Sequence, residues 1–142
     1  MKEDKNMVST KASHVGLTCQ DPVRLENFYT RYFGFKRARV YAPGPGQVVM
    51  IKSGSFYLEL FEATEKSPLP PPEKSGPEFP GWRHLCFLVE DLEAKLKELG
   101  DAVKVTLGPV DMSGFIPGMK VCWVADPEGN IIELNQGYLD EK

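Results

Sequence analysis

Apolar and polar positions follow the same order twice along this chain. His14-Val-Gly-Leu-Thr-Cys-Gln-Asp21 and His84-Leu-Cys-Phe-Leu-Val-Glu-Asp91 each read as a half-buried strand running into an Asp. That Asp stands where a helix N-cap belongs. Behind Asp21, Pro22 takes the first helical position, and Leu25, Phe28, Tyr29 and Tyr32 share one face. Behind Asp91, Leu92, Leu96 and Leu99 do the same, and Gly100 stops the helix. Two strands follow in each half, at about 36–42 and 47–52, then at about 102–107 and 119–125. The loops are Pro-Gly-Pro-Gly at 43–46 and Ser113-Gly-Phe-Ile-Pro-Gly118. Each half closes on a strand holding Glu-Leu, Phe56-Tyr-Leu-Glu59-Leu-Phe61 and Ile131-Ile-Glu133-Leu-Asn135; the turn Asp126-Pro-Glu-Gly-Asn130 leads into the second.

The pattern is βαβββ twice, an α+β duplication within one domain, residues 1–142. Module 1 covers about 12–63 and module 2 about 82–136. Between them, 64–81 carries six prolines from Pro68 to Pro80 and cannot sustain a helix or a central strand. The joining segment is therefore extended surface chain.

Composition narrows the function. A net charge of −3, from 17 basic and 20 acidic residues, leaves no electrostatic footprint for nucleic acid. No apolar run approaches the roughly 20 residues that span a bilayer. The opening MKEDKNMVSTKAS lacks the apolar core of a signal peptide. Three cysteines without a CxxC spacing read as reduced thiols, so the expected location is the cytoplasm. Cys19 and Cys122 alternate with apolar neighbours and are expected in the core. Cys86 shares strand parity with His84, which makes it a candidate to line the pocket, with packing as the preferred expectation.

The chain has two histidines, His14 and His84, and both open a repeat; the offset of 70 between them recurs between Asp21 and Asp91. Glu59 and Glu133 are likewise equivalent, each inside an apolar strand. A single strand histidine usually makes structural hydrogen bonds, and a single strand glutamate usually faces solvent. Four such residues in register across a repeat outweigh those readings. If the sheets curl toward one another, two imidazoles and two carboxylates converge and suit a divalent ion such as Zn, Ni, Co, Mn or Fe. Trp82, Phe115 and Met119 are candidate walls of a substrate cavity, whereas Trp123 is expected in the core. The 113–118 loop is a candidate lid, and Lys95-Leu-Lys97 a solvated helix face.

These residues resemble the vicinal oxygen chelate superfamily, which includes glyoxalase I, methylmalonyl-CoA epimerase, extradiol dioxygenases and the fosfomycin and bleomycin resistance proteins. The resemblance rests on His14 in SHVGLTCQD, the helix NFYTRYFGF, Glu59 in YLELFE, His84 in WRHLCFLVED and Glu133 in ADPEGNIIELNQ. It covers about 13–136 and implies two βαβββ modules forming a cup-shaped mixed sheet around a metal site. The ligand set it implies is His14, Glu59, His84 and Glu133, as in the glyoxalase and epimerase branches. The implied chemistry is a metal-dependent lyase or isomerase of a small chelating carbonyl substrate, acting through an enediolate. Glu133 is then the base and Glu59 its counterpart. A homodimer is the implied state, and the site forms either within one chain or across the dimer.

Residues tied to glutathione in glyoxalases are absent. Thr18 stands where an Arg follows the first ligand by four, Ala63 where an Asn follows the second, and Pro80 where an Arg precedes the third. The resemblance thus points away from a glutathione thiohemiacetal. Two alternatives have their own tests: a non-catalytic binding or resistance protein, and an Fe(II) extradiol-type dioxygenase, whose ligand set omits the counterpart of Glu59.

Overall fold

Both helices begin at the aspartates that the sequence marks. In the computed structural model, which describes residues 7–142, α1 (Pro22–Phe33) is capped by Asp21, whose carboxylate accepts from the Arg24 amide at 3.0 Å. Asp91 does the same for α2 (Leu92–Leu99) through the Ala94 amide. Such a cap satisfies a donor the helix would otherwise leave open. Gly34 ends α1 at φ +70°, in the left-handed region that suits glycine. The start of the N-terminal stretch read above for a leader, residues 1–6, lies outside the described residues.

The strands form two four-stranded sheets. In module 1, β1 (Val15–Cys19) lies parallel to β4 (Phe56–Glu62), which pairs antiparallel with β3 (Val48–Ser53) and that with β2 (Lys36–Ala42). Module 2 repeats the order with β5 (Leu85–Leu88), β8 (Ile131–Gln136), β7 (Lys120–Ala125) and β6 (Lys104–Asp111). The α+β duplication is as expected. One strand differs: β6 starts two residues later than expected and continues through Gly108-Pro109. Residues 100–102 extend α2 as a 3₁₀ turn, and the proline falls where the pairing with β7 slips, so no regular ladder bond is lost.

Each sheet has a core face and an outer face. Val49, Ile51, Leu58 and Leu60 of module 1 join Cys122, Val124, Ile132 and Leu134 of module 2 in one buried cluster, under Leu25 and Tyr29 of α1 and Leu92 and Leu99 of α2. Each such fully buried aliphatic side chain contributes about 1.5–3 kcal/mol. Cys19 and Cys122 are buried there as expected.

The modules are stitched together on this side. Phe33 stacks on Phe87 with ring centroids 4.4 Å apart, the Tyr29 hydroxyl donates to Asp126 at 2.8 Å, and Arg24 pairs with Glu128. Lys95 corrects an expectation. Its side chain is only 16% exposed, lies over the Phe33 ring and donates to the Tyr32 carbonyl; Lys97 alone matches the solvated face. Segment 64–81 forms no helix or strand. No helix among the described residues is long and apolar enough to cross a membrane.

Candidate metal centre

Strand parity sends four chemistry-bearing side chains to the outer faces. Glu59 alternates with Leu58 and Leu60 of the core and sits in register with Gly16. His14, two residues before Gly16, reaches it: Nε2 lies 3.4 Å from Glu59 Oε1. In module 2, Glu133 is in register with Cys86, and His84 Nε2 lies 3.2 Å from Glu133 Oε1. The repeat thus builds the same His–Glu pair twice.

The second imidazole nitrogen is held in each case. His84 Nδ1 lies 2.9 Å from the Ser75 carbonyl, and His14 Nδ1 lies 2.9 Å from the Ser13 hydroxyl. A carbonyl only accepts, so His84 Nδ1 carries the hydrogen and Nε2 is the nitrogen that faces Glu133. A lone pair facing a carboxylate oxygen needs a proton or a cation between them. Two ligands bonded at about 2.1 Å stand roughly 3.0–3.4 Å apart in octahedral or tetrahedral arrangements, the spacing seen in both pairs. The residues fit a divalent metal, and an Nδ1–H on a carbonyl is the usual device for orienting a histidine ligand.

The two pairs do not form one cluster within a chain. Among the described residues, no group of three or more His, Cys, Asp or Glu is placed to hold a metal ion. Of the two arrangements left open by the sequence, within one chain or across a dimer, the first finds no support in these positions. The physical reason is the shared core: both sheets turn their apolar faces inward, so both outer faces point away from it. Each chain therefore carries two separate His–Glu pairs.

The two pairs differ in their support. Cys86 and Asn135 both donate to Glu133 Oε2, at 3.2 and 3.0 Å, leaving Oε1 toward His84. Partial enclosure of the Cys86 sulfur, with the Glu133 carboxylate beside it, pushes the thiol up to about 12. Among the described residues Glu59 has no contact of this kind beyond His14. Cys86 is exposed and donates on this face, in line with its shared parity with His84 and not with the packing role preferred for it. Trp123 also departs from expectation. It is outside the buried cluster, in register with Glu133, with its ring 6.3 Å from that of His84. Met119 is buried beside Asn135, while Trp82 and Phe115 stand 67% and 79% exposed. Ser75 carries no sequence signal, because its contribution is a backbone carbonyl from the irregular segment. Asn135 was visible only as a residue of the same parity as Glu133.

Comparison with known proteins agrees with this architecture. The family model described as Glyoxalase/Bleomycin resistance protein/Dioxygenase superfamily matches residues 11–134. YwkD of Bacillus subtilis is 31% identical over 131 residues, covering 90% of this chain and 98% of its own. The glyoxalase family protein from Enterococcus faecalis superposes with a TM-score of 0.65 at 28% identity, covering 88% of this chain and 96% of its own. A point mutant of the fosfomycin resistance protein FosX of Listeria monocytogenes, complexed with Mn(II) and 1S,2S-dihydroxypropylphosphonic acid, shares the fold: TM-score 0.66, 14% identity, 94% of each chain. Two βαβββ modules, a matching family model over most of the length and a relative at 31% identity lead to one conclusion: the chain belongs to the glyoxalase/bleomycin resistance protein/dioxygenase superfamily, that of the vicinal oxygen chelate proteins.

Proposed function

We propose that this protein is a metal-dependent lyase or isomerase of a small carbonyl compound whose adjacent oxygens chelate the metal. The observation that carries this reading is the duplicated His–Glu pair, at 3.4 and 3.2 Å, on outward faces of equivalent strands. His14 and Glu59 of one chain would hold a divalent ion together with His84 and Glu133 of a second copy, which makes the working unit a homodimer. The bound metal supplies a Lewis acid that polarises the substrate carbonyl and acidifies the neighbouring C–H.

The chain's own residues do the rest. Ser75 and Ser13 fix the imidazoles so that Nε2 faces the site. Cys86 and Asn135 turn Glu133 so that Oε1, the atom facing His84, accepts the proton from the substrate carbon. Glu59 is the counterpart ligand or partner base on the other side, and the proton taken up by Glu133 goes back to the adjacent carbon. The pairing of Glu59 with His14 favours a four-ligand set over the two-His, one-Glu set of an extradiol oxygenase. Thr18, Ala63 and Pro80 leave glutathione without its usual partners.

The test combines metal analysis with solvent deuterium exchange into a panel of α-hydroxycarbonyl and acyl-CoA compounds. We expect stoichiometric divalent metal, lost in His84→Ala, and exchange that vanishes in Glu133→Gln. Metal-free protein with an intact fold, or exchange indifferent to Glu133, overturns the reading.

A further inference from the structure

A slip in one strand decides which way two arginines face. Between β2 and β3, Arg37 pairs with Ile51 and Arg39 with Met50, so two steps along β2 meet one step along β3. Such a bulge re-aims the side chains beyond it. Ile51 is fully buried on the core side, and Arg37 turns that way to bind Glu26 of α1. Arg39 follows Met50 to the opposite face. Met50 is in register with Glu59, so Arg39, Met50, Glu59 and Gly16 form one row across the sheet. At strand spacings of about 4.8 Å, Arg39 and Glu59 are roughly 10 Å apart along it, within reach of one small molecule.

The row borders a cavity of about 670 Å³. Arg39 and Lys11 line it with Tyr41, Tyr57, Met50 and Ser13, the last being the residue bonded to His14; among the described residues no carboxylate lines it. Among the described residues neither Arg39 nor Lys11 has a salt bridge, in contrast to Arg37. The repeat provides an internal control. The same bulge occurs in β6, and the equivalent row is Cys86, Glu133, Trp123 and Leu107. Where module 1 has a cation, module 2 has leucine, so the fold does not demand the charge. Two exposed cations with no carboxylate partner among the described residues give this cavity a positive lining that favours an anion.

We propose that the substrate bears, besides its chelating oxygens, an oxyanion of carboxylate or phosphoryl type, and that Arg39 and Lys11 bind it in this cavity. A guanidinium meets such a group through two parallel hydrogen bonds, and the lysine adds a point charge. This deepens the metal-dependent reading above and rests on it for the chelating half of the substrate. Arg39 and Lys11 set specificity and take no part in the proton transfer.

The test compares two hydroxamates on metal-loaded protein by calorimetry: acetohydroxamate, which only chelates, and succinic monohydroxamate, which adds a carboxylate. We expect the second to bind about tenfold more tightly, and this advantage to disappear in the Lys11→Gln/Arg39→Gln double variant while acetohydroxamate binds it as before. Equal binding of the two by wild type, or an advantage that survives in the double variant, overturns the proposal. If the protein takes up no metal, the metal reading fails and the anion site is decided on metal-free protein, by following the Arg39 Nε–H resonance during titration with malonate. A saturable shift weakened by Lys11→Gln supports the site, and no shift overturns it.

Discussion

Ser75, in the proline-rich segment, accepts a hydrogen bond through its carbonyl from Nδ1 of His84 at 2.9 Å. A stretch without helix or strand thus sets the orientation of a proposed ligand. Neighbouring contacts hold it in place: Arg83 donates to the Ser75 hydroxyl at 2.9 Å and Thr106 to the Lys74 carbonyl at 2.6 Å. Gly76 is at φ +84°, and a Cβ there would lie 2.5 Å from the Arg83 carbonyl oxygen. Gly76→Ala should therefore displace the Ser75 carbonyl. We expect metal affinity to fall about tenfold or more, read by competition with a chromogenic chelator. An unchanged affinity would show that the carbonyl does not orient His84.

The support of Glu133 predicts an effect on metal without a large effect on stability. Cys86 is exposed, so Cys86→Ala should change the melting temperature little. Combined with Asn135→Ala it removes both donors to Oε2, and metal affinity should drop about 10- to 100-fold. The same chelator competition, beside a thermal melt, separates the two outcomes.

Glu26 predicts an acid-sensitive contribution to folding. Its buried carboxylate takes two bonds from Arg37 and one from Gln47, and the Arg37 bonds hold it below the usual carboxylate range. A lowered folded value means the stabilisation is present above the unfolded pKa and is lost as pH falls through the folded one. Glu26→Gln should cost about 1–2 kcal/mol at neutral pH, a figure reduced because Arg37 is half exposed. The gap between wild type and variant in urea melts should narrow below about pH 4.

The Tyr29–Asp126 bond ties the modules and should matter for stability alone. Burial pushes the Asp126 carboxyl up, and the Tyr29 hydroxyl is among the bonds that pull it back. Tyr29→Phe should destabilise by about 1–2 kcal/mol in denaturant melts. The loss should be greatest at neutral pH, where Asp126 is ionised, and should shrink on acidification, because a protonated Asp126 needs the donor less. Metal affinity should stay unchanged.

The duplication was legible because local chemistry repeats: Asp caps at equal distances from the histidines, glutamates at equal strand positions, leucines on matching helix faces. The pairing of His14 with Glu59 and of His84 with Glu133 is set by the register of β1 with β4 and of β5 with β8, which the sequence does not state. What the chain did not reveal depends on packing between modules. Whether two sheets face each other or turn away is decided by which faces share a core, and Phe33, Phe87 and Lys95 show it only once they meet. The faces of Arg39 and Trp123 were also hidden. A bulge turns Arg39, with no residue in Lys36–Ala42 to announce it. Trp123 reads as core from its apolar neighbours although its register partner is Glu133.

In the proposed dimer each working site takes its ligands from two chains, and subunit mixing discriminates this from a site within one chain. His14→Ala and His84→Ala are purified separately, unfolded and refolded together, and analysed for metal. In the proposed dimer, a mixed pair loses both imidazoles at one site and keeps all four ligands at the other. We predict almost no metal in either variant alone, and about one quarter of an equivalent per chain after random mixing. The catalysed deuterium exchange should return with it. Mixed chains that stay metal-free, or a monomeric wild type that binds one metal per chain, would rule out a site shared between chains.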